Sequence, residues 1–295
     1  MKHLALLCLV LCCSIFSQAQ SINTEIATEG EKPFLLGKID KNGLTSNNYK
    51  SWFFKNHDAY KLDEANIKSI TPLIGDFKIK LFMGTWCGDS KREVPRFYKI
   101  LEASNFPVDQ ITAIALSRKS NMYKQSPNHE EAGLNIHRVP TFIFYKDGKE
   151  VNRIVEEPVE TLEKDILNIL TINSYKSNYQ IVAKVNSILE NKGIKGLKKQ
   201  SKLLVENFKG KTKNMFELNT YGRILYSTNR NNEAIEVFKL NTKLFPDNPR
   251  TYISLANTLG VNGKKGKAIK VMKKAIKKFP ENEDLKENLT AIKSN

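Results

Sequence analysis

One thiol stands out among the residues able to do chemistry. Cys87 lies in the run Gly84-Thr85-Trp86-Cys87-Gly88-Asp89-Ser90. Before it, Phe77 to Met83 alternates Phe77, Ile79, Leu81 and Met83 onto one face, the period of a strand. After it, Val94, Phe97, Tyr98 and Leu101 form an apolar stripe at helical spacing. A side chain at such a strand-to-helix junction meets free backbone N–H groups and the positive end of the helix dipole. Both favour the thiolate, which is the nucleophilic form. Inert cysteines sit among aliphatic residues, whereas this one has Trp86, Gly88, Asp89 and Ser90 for neighbours. The Ser90 hydroxyl can hydrogen-bond a thiolate. Asp89 would oppose the negative sulfur, and Lys91 and Arg92 in the same helical turn would favour it.

The other cysteines make this thiol solitary. Lys2 followed by the apolar run Leu4 to Phe16, with small residues Ser17 and Ala19 after it, reads as a secretory signal at 1–19. The run is shorter than the roughly 20 apolar residues of a spanning helix. Cys12 and Cys13 sit near the depth of a lipoprotein site, but Leu11 and Cys12 are poor residues to precede one. Removal of the signal takes Cys8, Cys12 and Cys13 and leaves Cys87 alone. The mature protein is therefore expected to be exported, periplasmic or secreted, with no internal disulfide. In an oxidising compartment an odd thiol is buried, paired with another molecule, or used.

The elements that would position Cys87 follow in order. Ile111 to Leu116 reads as a buried strand. Thr141 to Tyr145 and Val151 to Val155 flank Asp147-Gly148, a strong hairpin signal. A helix from Val159 to Leu170 closes the unit. Together with Trp-Cys-Gly-x-x at the turn, Pro95 eight residues past the cysteine, and Val139-Pro140-Thr141 opening the hairpin, this stretch resembles the thioredoxin fold. More narrowly, Gly-Thr-Trp-Cys-Gly-Asp-Ser-Lys-Arg-Glu-Val-Pro with a C-terminal repeat region is similar to exported thioredoxin-like proteins of Bacteroidetes-type bacteria. The resemblance implies a cis Pro140 against Cys87, and a Val139 backbone offered to an extended client segment. It departs from the dithiol pattern in three places, one of them Asp89 with its opposing charge. Ser90 stands where the second cysteine would be, so a mixed disulfide cannot be resolved from within and turnover needs an outside thiol. Leu81 stands where many thioredoxins carry a buried acid, which removes a proton-transfer group.

Ahead of the core, Phe34 to Ile39 is expected as a strand, Asn42-Gly43 as a turn, and Ser46 to Phe54 and Asp63 to Leu73 as helices. The stretch 20–30 reads as a linker and 31–171 as the α/β domain with this elaboration, Trp52, Phe53 and Phe54 forming its packing face. His137 and Arg118 read more readily as satisfied or solvated residues than as site residues. His57, His129 and His137 are scattered, so neither a metal nor a cofactor is expected.

From Met215 the chain repeats at a period of 34: Gly222 with Ala256, Ala234 with Ala268, Phe238 with Met272, Pro246 with Pro280. This is the tetratricopeptide (TPR) period and pattern, an all-α module. Repeats are placed at 215–248 and 249–282 within 213–295, with Glu283 to Lys293 as a cap. Two repeats are fewer than such stacks need, so helices Tyr175 to Glu190 and Ile194 to Phe208, within 172–212, are expected to complete it as a degenerate pair. Asn241 replaces the usual small residue.

The formal charge of +16 divides along the same line. Residues 21–171 hold 21 Lys+Arg and 21 Asp+Glu, and residues 172–295 hold 25 and 10. The bland reading of the dense run Lys264 to Lys278 is a solvated face. An acidic partner or an anionic membrane surface is the functional one. Nucleic acid is disfavoured, because export separates the two and no aromatic stacking platforms interleave the lysines. The expectation is an α/β thioredoxin-like domain followed by a TPR-like module, exchanging disulfides through Cys87 with Ser90 in support. Trp86, Gly88, Asp89, Val139 and Pro140 line the client site, and the concave repeat face docks a protein or peptide. The alternative is a non-enzymatic adaptor in which the thiol is merely tolerated.

Overall fold

The computed structural model describes residues 21–294, so the expected signal at 1–19 lies outside the described residues. Two bodies share the chain. The first is a five-stranded sheet with β3 (Gly37–Ile39), β4 (Lys78–Met83), β5 (Ile111–Ala115), β6 (Thr141–Lys146) and β7 (Lys149–Val155), in the order β3-β5-β4-β6-β7. β4 and β5 are parallel and the other pairs antiparallel. Asp147 and Gly148 both take positive φ in the β6–β7 turn, as a tight two-residue hairpin requires.

The alternation in β4 sorts the core. Phe77, Ile79, Leu81 and Met83 join the larger apolar cluster with Val94, Phe97, Phe142 and Phe144. Phe82 points the other way, into a smaller cluster with Ile114, Leu116, Ile136, Val139 and Ile143, against which Trp86 and Cys87 pack. Over the larger face lie α2 (Lys50–Asp58), α3 (Glu64–Ile74), α4 (Gly88–Ala103) and α5 (Leu162–Leu170). Asp63 caps α3 and Thr161 caps α5 through side-chain oxygens.

The N-terminal stretch departs from expectation. Glu25–Thr28, within the stretch read as linker, is strand β1, paired antiparallel with β2 (Glu31–Leu35). The single strand expected over Phe34 to Ile39 is split, because Gly37 at φ +84 lets β3 leave the hairpin and join the main sheet. Asn42-Gly43 is not a turn between strands. It lies in the short helix α1 (Lys41–Leu44), where the Asp40 carboxylate accepts from Gly43 N–H at 3.0 Å and from Asn23 Nδ2 at 2.7 Å. Phe53 is fully buried, while Phe54 faces solvent.

The second body is a helical repeat module with its own core. It runs through α6 (Gln180–Phe208), α7 (Phe216–Ser227), α8 (Asn231–Leu244), α9 (Pro249–Val261), α10 (Lys265–Lys278) and α11 (Glu283–Ser294). α6 is two helices broken at Gly193, whose φ of 58 and ψ of −167 are not helical. The repeat pattern acquires a physical cause at the α7–α8 crossing: a Cβ on Gly222 would come within 2.7 Å of the Phe238 ring. Ala256, Ala268 and Met272 hold the corresponding buried places one repeat later. Asn241, the residue that breaks the pattern, is fully buried and ties α8 to the start of α7 by donating Nδ2 to Met215 O at 2.9 Å. No helix among the described residues is long and apolar enough to cross a membrane.

Candidate functional site

Cys87 is the N-cap residue of α4, with extended φ and ψ of −89 and 131, and no side chain caps that helix. The N-cap position places the sulfur at the head of α4, where the positive end of the helix dipole favours a negative charge, although the thiol accepts none of the first-turn N–H groups. The backbone turn is fixed on both sides by Cys87 N–H to Gly84 O at 2.9 Å and Lys91 N–H to Cys87 O at 3.0 Å. Across 52 residues of sequence, the thiol donates to Val139 O at 3.3 Å. The Val139–Pro140 peptide is cis. Thiol and Pro140 segment are thus in direct contact.

The neighbours fix the shape of this turn. Trp86 donates Nε1 to Leu116 O at 2.8 Å and lays its indole over Gly84, where a Cβ would come within 2.5 Å of the ring. Thr85 Oγ1 accepts from Leu35 N–H at 3.0 Å, pinning the end of β2 to the turn. Ser90 is fully buried, and its Oγ accepts from Gly84 N–H at 3.2 Å. A hydroxyl has one proton and two lone pairs, so this bond leaves the Ser90 proton free to donate. Asp89 is paired with Arg92 at 3.0 Å, which partly neutralises the charge that would oppose a thiolate. Arg92 also holds the buried Glu93 at 2.5 Å. Its guanidinium is pushed above the ordinary range, chiefly by that bond.

Exposure is graded across the site. Val139 and Pro140 are buried, Trp86, Cys87 and Asp89 are half-buried, and Gly88 is exposed. Of these residues Gly88 is the one most open to solvent. Gly88 has nothing within 4 Å of where a Cβ would stand, so its place is set by access rather than packing.

Sequence comparison bears on the domain that holds this site. The chain is 30% identical over 82 residues to "Thioredoxin Asp f 29" of Aspergillus fumigatus, a match over 28% of this chain and 67% of that protein. The chain belongs to the thioredoxin family. No protein-family model matches it. Its thioredoxin-like domain is followed by the helical repeat module described above, and the segment 116–140 between β5 and β6 makes contact with that module.

That connection carries residues that periodicity could not flag. Lys124, 6% exposed, donates Nζ to His137 O at 2.5 Å. Burial lowers its ammonium to about 7, with repulsion from Arg138 adding to the fall and the charge of Cys87 opposing it. His137 donates Nδ1 to Asn135 O at 3.2 Å, so its Nε2 is the unprotonated nitrogen, and it is buried with no partner. Its ring meets those of Tyr179 and Tyr221 edge-on at 5.5 and 6.3 Å, both from the helical module. Arg138, one residue before Val139, pairs with Glu156 at 3.0 Å, donates to Phe216 O at 3.2 Å and covers the Tyr179 ring. Gln125 donates to Ser227 O at 3.1 Å, and Arg223 lies 4.4 Å over the Tyr123 ring. The helical module is therefore bolted to the segment that faces Cys87. Arg118, by contrast, is tied to Glu31 at 2.6 Å and to Lys32 O, away from the thiol.

The buried His137 has a consequence for stability. Desolvation lowers its folded pKa to about 3 from the 6.5 of a free imidazole. Between those values the unfolded chain binds a proton that the folded chain refuses, so stability falls as pH falls from about 6.5 to about 3. In that window each pH unit should cost roughly tenfold in the folding equilibrium from this residue. Urea titrations at pH 7, 6, 5 and 4 should show the slope, and His137→Gln should flatten it. An unchanged slope in that variant would mean that other groups set the acid limit.

Proposed function

We propose that this is an exported, monothiol thioredoxin-like protein that exchanges disulfides through Cys87, while its repeat module docks a protein partner. The observation that carries the reading is the contact between the Cys87 sulfur, at the head of α4, and the Val139 carbonyl before Pro140. In the forward step the Cys87 sulfur attacks one sulfur of a client disulfide. A Cys87–client disulfide forms, the client S–S bond breaks, and the second client sulfur leaves as a thiol. A thiol from outside then attacks the mixed disulfide and restores Cys87, because Ser90 cannot. Trp86 and the Thr85 bond hold the turn, the head of α4 and the Ser90 hydroxyl favour the charged sulfur, and the client lies against Val139 and Pro140 beside Gly88 and Asp89.

The module supports docking because stacked repeats leave a concave surface that their own packing does not use. Its excess of 15 positive charges favours an acidic protein segment or an anionic membrane surface in the periplasm or outside the cell. A partner retained by both wild type and Cys87→Ala under non-reducing conditions is held by the module. One retained by wild type alone is held covalently.

Ser90→Cys tests the chemistry. Wild type treated with oxidised glutathione should hold one glutathione per chain, released only by added thiol. Ser90→Cys should expel the glutathione unaided and close a disulfide between Cys87 and the introduced cysteine, read as loss of the adduct by intact mass. A stable adduct on Ser90→Cys, or none on wild type, would overturn the exchange reading.

A further inference from the structure

A monothiol site that lacks the buried acid still has protons to move, since Leu81 is fully buried and apolar where an acid would serve. The thiol donates to Val139 O, so its proton has to leave before the sulfur can attack. One buried amine is placed for this. Lys124 Nζ hangs on His137 O and Cys87 Sγ on Val139 O, carbonyls two residues apart in one short segment. We propose that Lys124 is the proton-exchange partner of Cys87: its amine takes the thiol proton before attack, and its ammonium returns that proton to the departing client sulfur.

The inference rests on the exchange chemistry proposed above, and the step balances. Cys87 thiol and neutral Lys124 become thiolate and ammonium. The thiolate then forms the mixed disulfide as the client S–S bond breaks, and the second client sulfur leaves as a thiol with the ammonium's proton, so Lys124 ends neutral. The charged and titratable groups around Lys124 are Cys87 at the head of α4, Arg138, Glu156 after β7, Arg223 from α7, and Tyr123, whose ring centre lies 5.4 Å from Nζ. Neighbouring His137 stays neutral. Arg138 is occupied by Glu156 and Phe216 O, which leaves Lys124 as the mobile proton carrier. Lys124 also lines a cavity of about 370 Å³, walled by Gln125, Tyr221, Ile224 and Ser227, which reaches between the two bodies.

The test is the pH profile of Cys87 alkylation by iodoacetamide in wild type, Lys124→Met and Lys124→Arg. Lys124→Met should slow alkylation at pH 7 by about tenfold or more, as removal of a close compensating charge does. Lys124→Arg, which keeps charge but does not release a proton, should restore alkylation yet remain slow in expelling the client thiol. Wild-type profiles in both variants would overturn the role of Lys124 and leave the exchange reading intact. Wild type no faster than free glutathione would instead remove the exchange reading itself. Should the variants fail to fold, ¹⁵N-lysine NMR on wild type and Cys87→Ser decides. Loss of the sulfur charge should move the Lys124 midpoint to lower pH, and an unmoved midpoint would overturn the proposal.

Discussion

Cys87→Ala is expected to abolish disulfide exchange entirely, measured as reduction of a model disulfide in the presence of excess external thiol. With residues 1–19 removed, this chain has no second thiol to supply residual activity, so turnover should fall to the rate of the external thiol alone. The same variant should stay within about 1 kcal/mol of wild type in stability. The substitution deletes one half-buried sulfur and its bond to Val139 O, while the turn remains fixed by the residue-87 N–H to Gly84 O and by Trp86. Retained turnover in Cys87→Ala would place the chemistry elsewhere. A collapse of the fold would show that the residue is structural.

The second large effect belongs to the helical module. Phe238→Ala empties the space that Gly222 leaves at the α7–α8 crossing, and truncating a buried phenylalanine costs about 3–5 kcal/mol. Both tryptophans, Trp52 and Trp86, lie in the thioredoxin-like domain, so their fluorescence follows that body. Far-UV circular dichroism is dominated by the helices of the module. In urea, the dichroism transition of Phe238→Ala should move to markedly lower concentration, and the fluorescence transition should move far less. An equal shift of both would show that the contacts through Arg138, Gln125 and Tyr179 make the two bodies one cooperative unit.

Much of the scaffold is legible in the sequence because its signals are local. The β4 alternation, the Asp147-Gly148 turn and the 34-residue spacing each specify a backbone geometry or a packing face without reference to distant residues. The neighbourhood of Cys87 is legible for the same reason, since strand, turn and helix are consecutive. The N-terminal stretch differs from its sequence reading where tertiary pairing overrides propensity. Glu25–Thr28 is a strand only because β2 is beside it, and Asn42-Gly43 is helical only because Asp40 and Asn23 cap the turn. The stretch from Ser117 to Val139 is opaque. It has no period, and a lysine in it reads as a solvated surface residue. Its meaning comes from what covers it: Tyr179 and Tyr221 arrive from well downstream to close over His137, and burial lowers the Lys124 ammonium to about 7.

The central claim is that Cys87 is a reactive thiol built for exchange, and its alkylation rate tests that most directly. Protein lacking residues 1–19, mixed with iodoacetamide at pH 6.5 and followed by intact mass, should be modified once, at Cys87, at least about ten times faster than glutathione under the same conditions. A rate equal to or below that of glutathione would contradict the account and leave a thioredoxin-like scaffold whose cysteine does no chemistry.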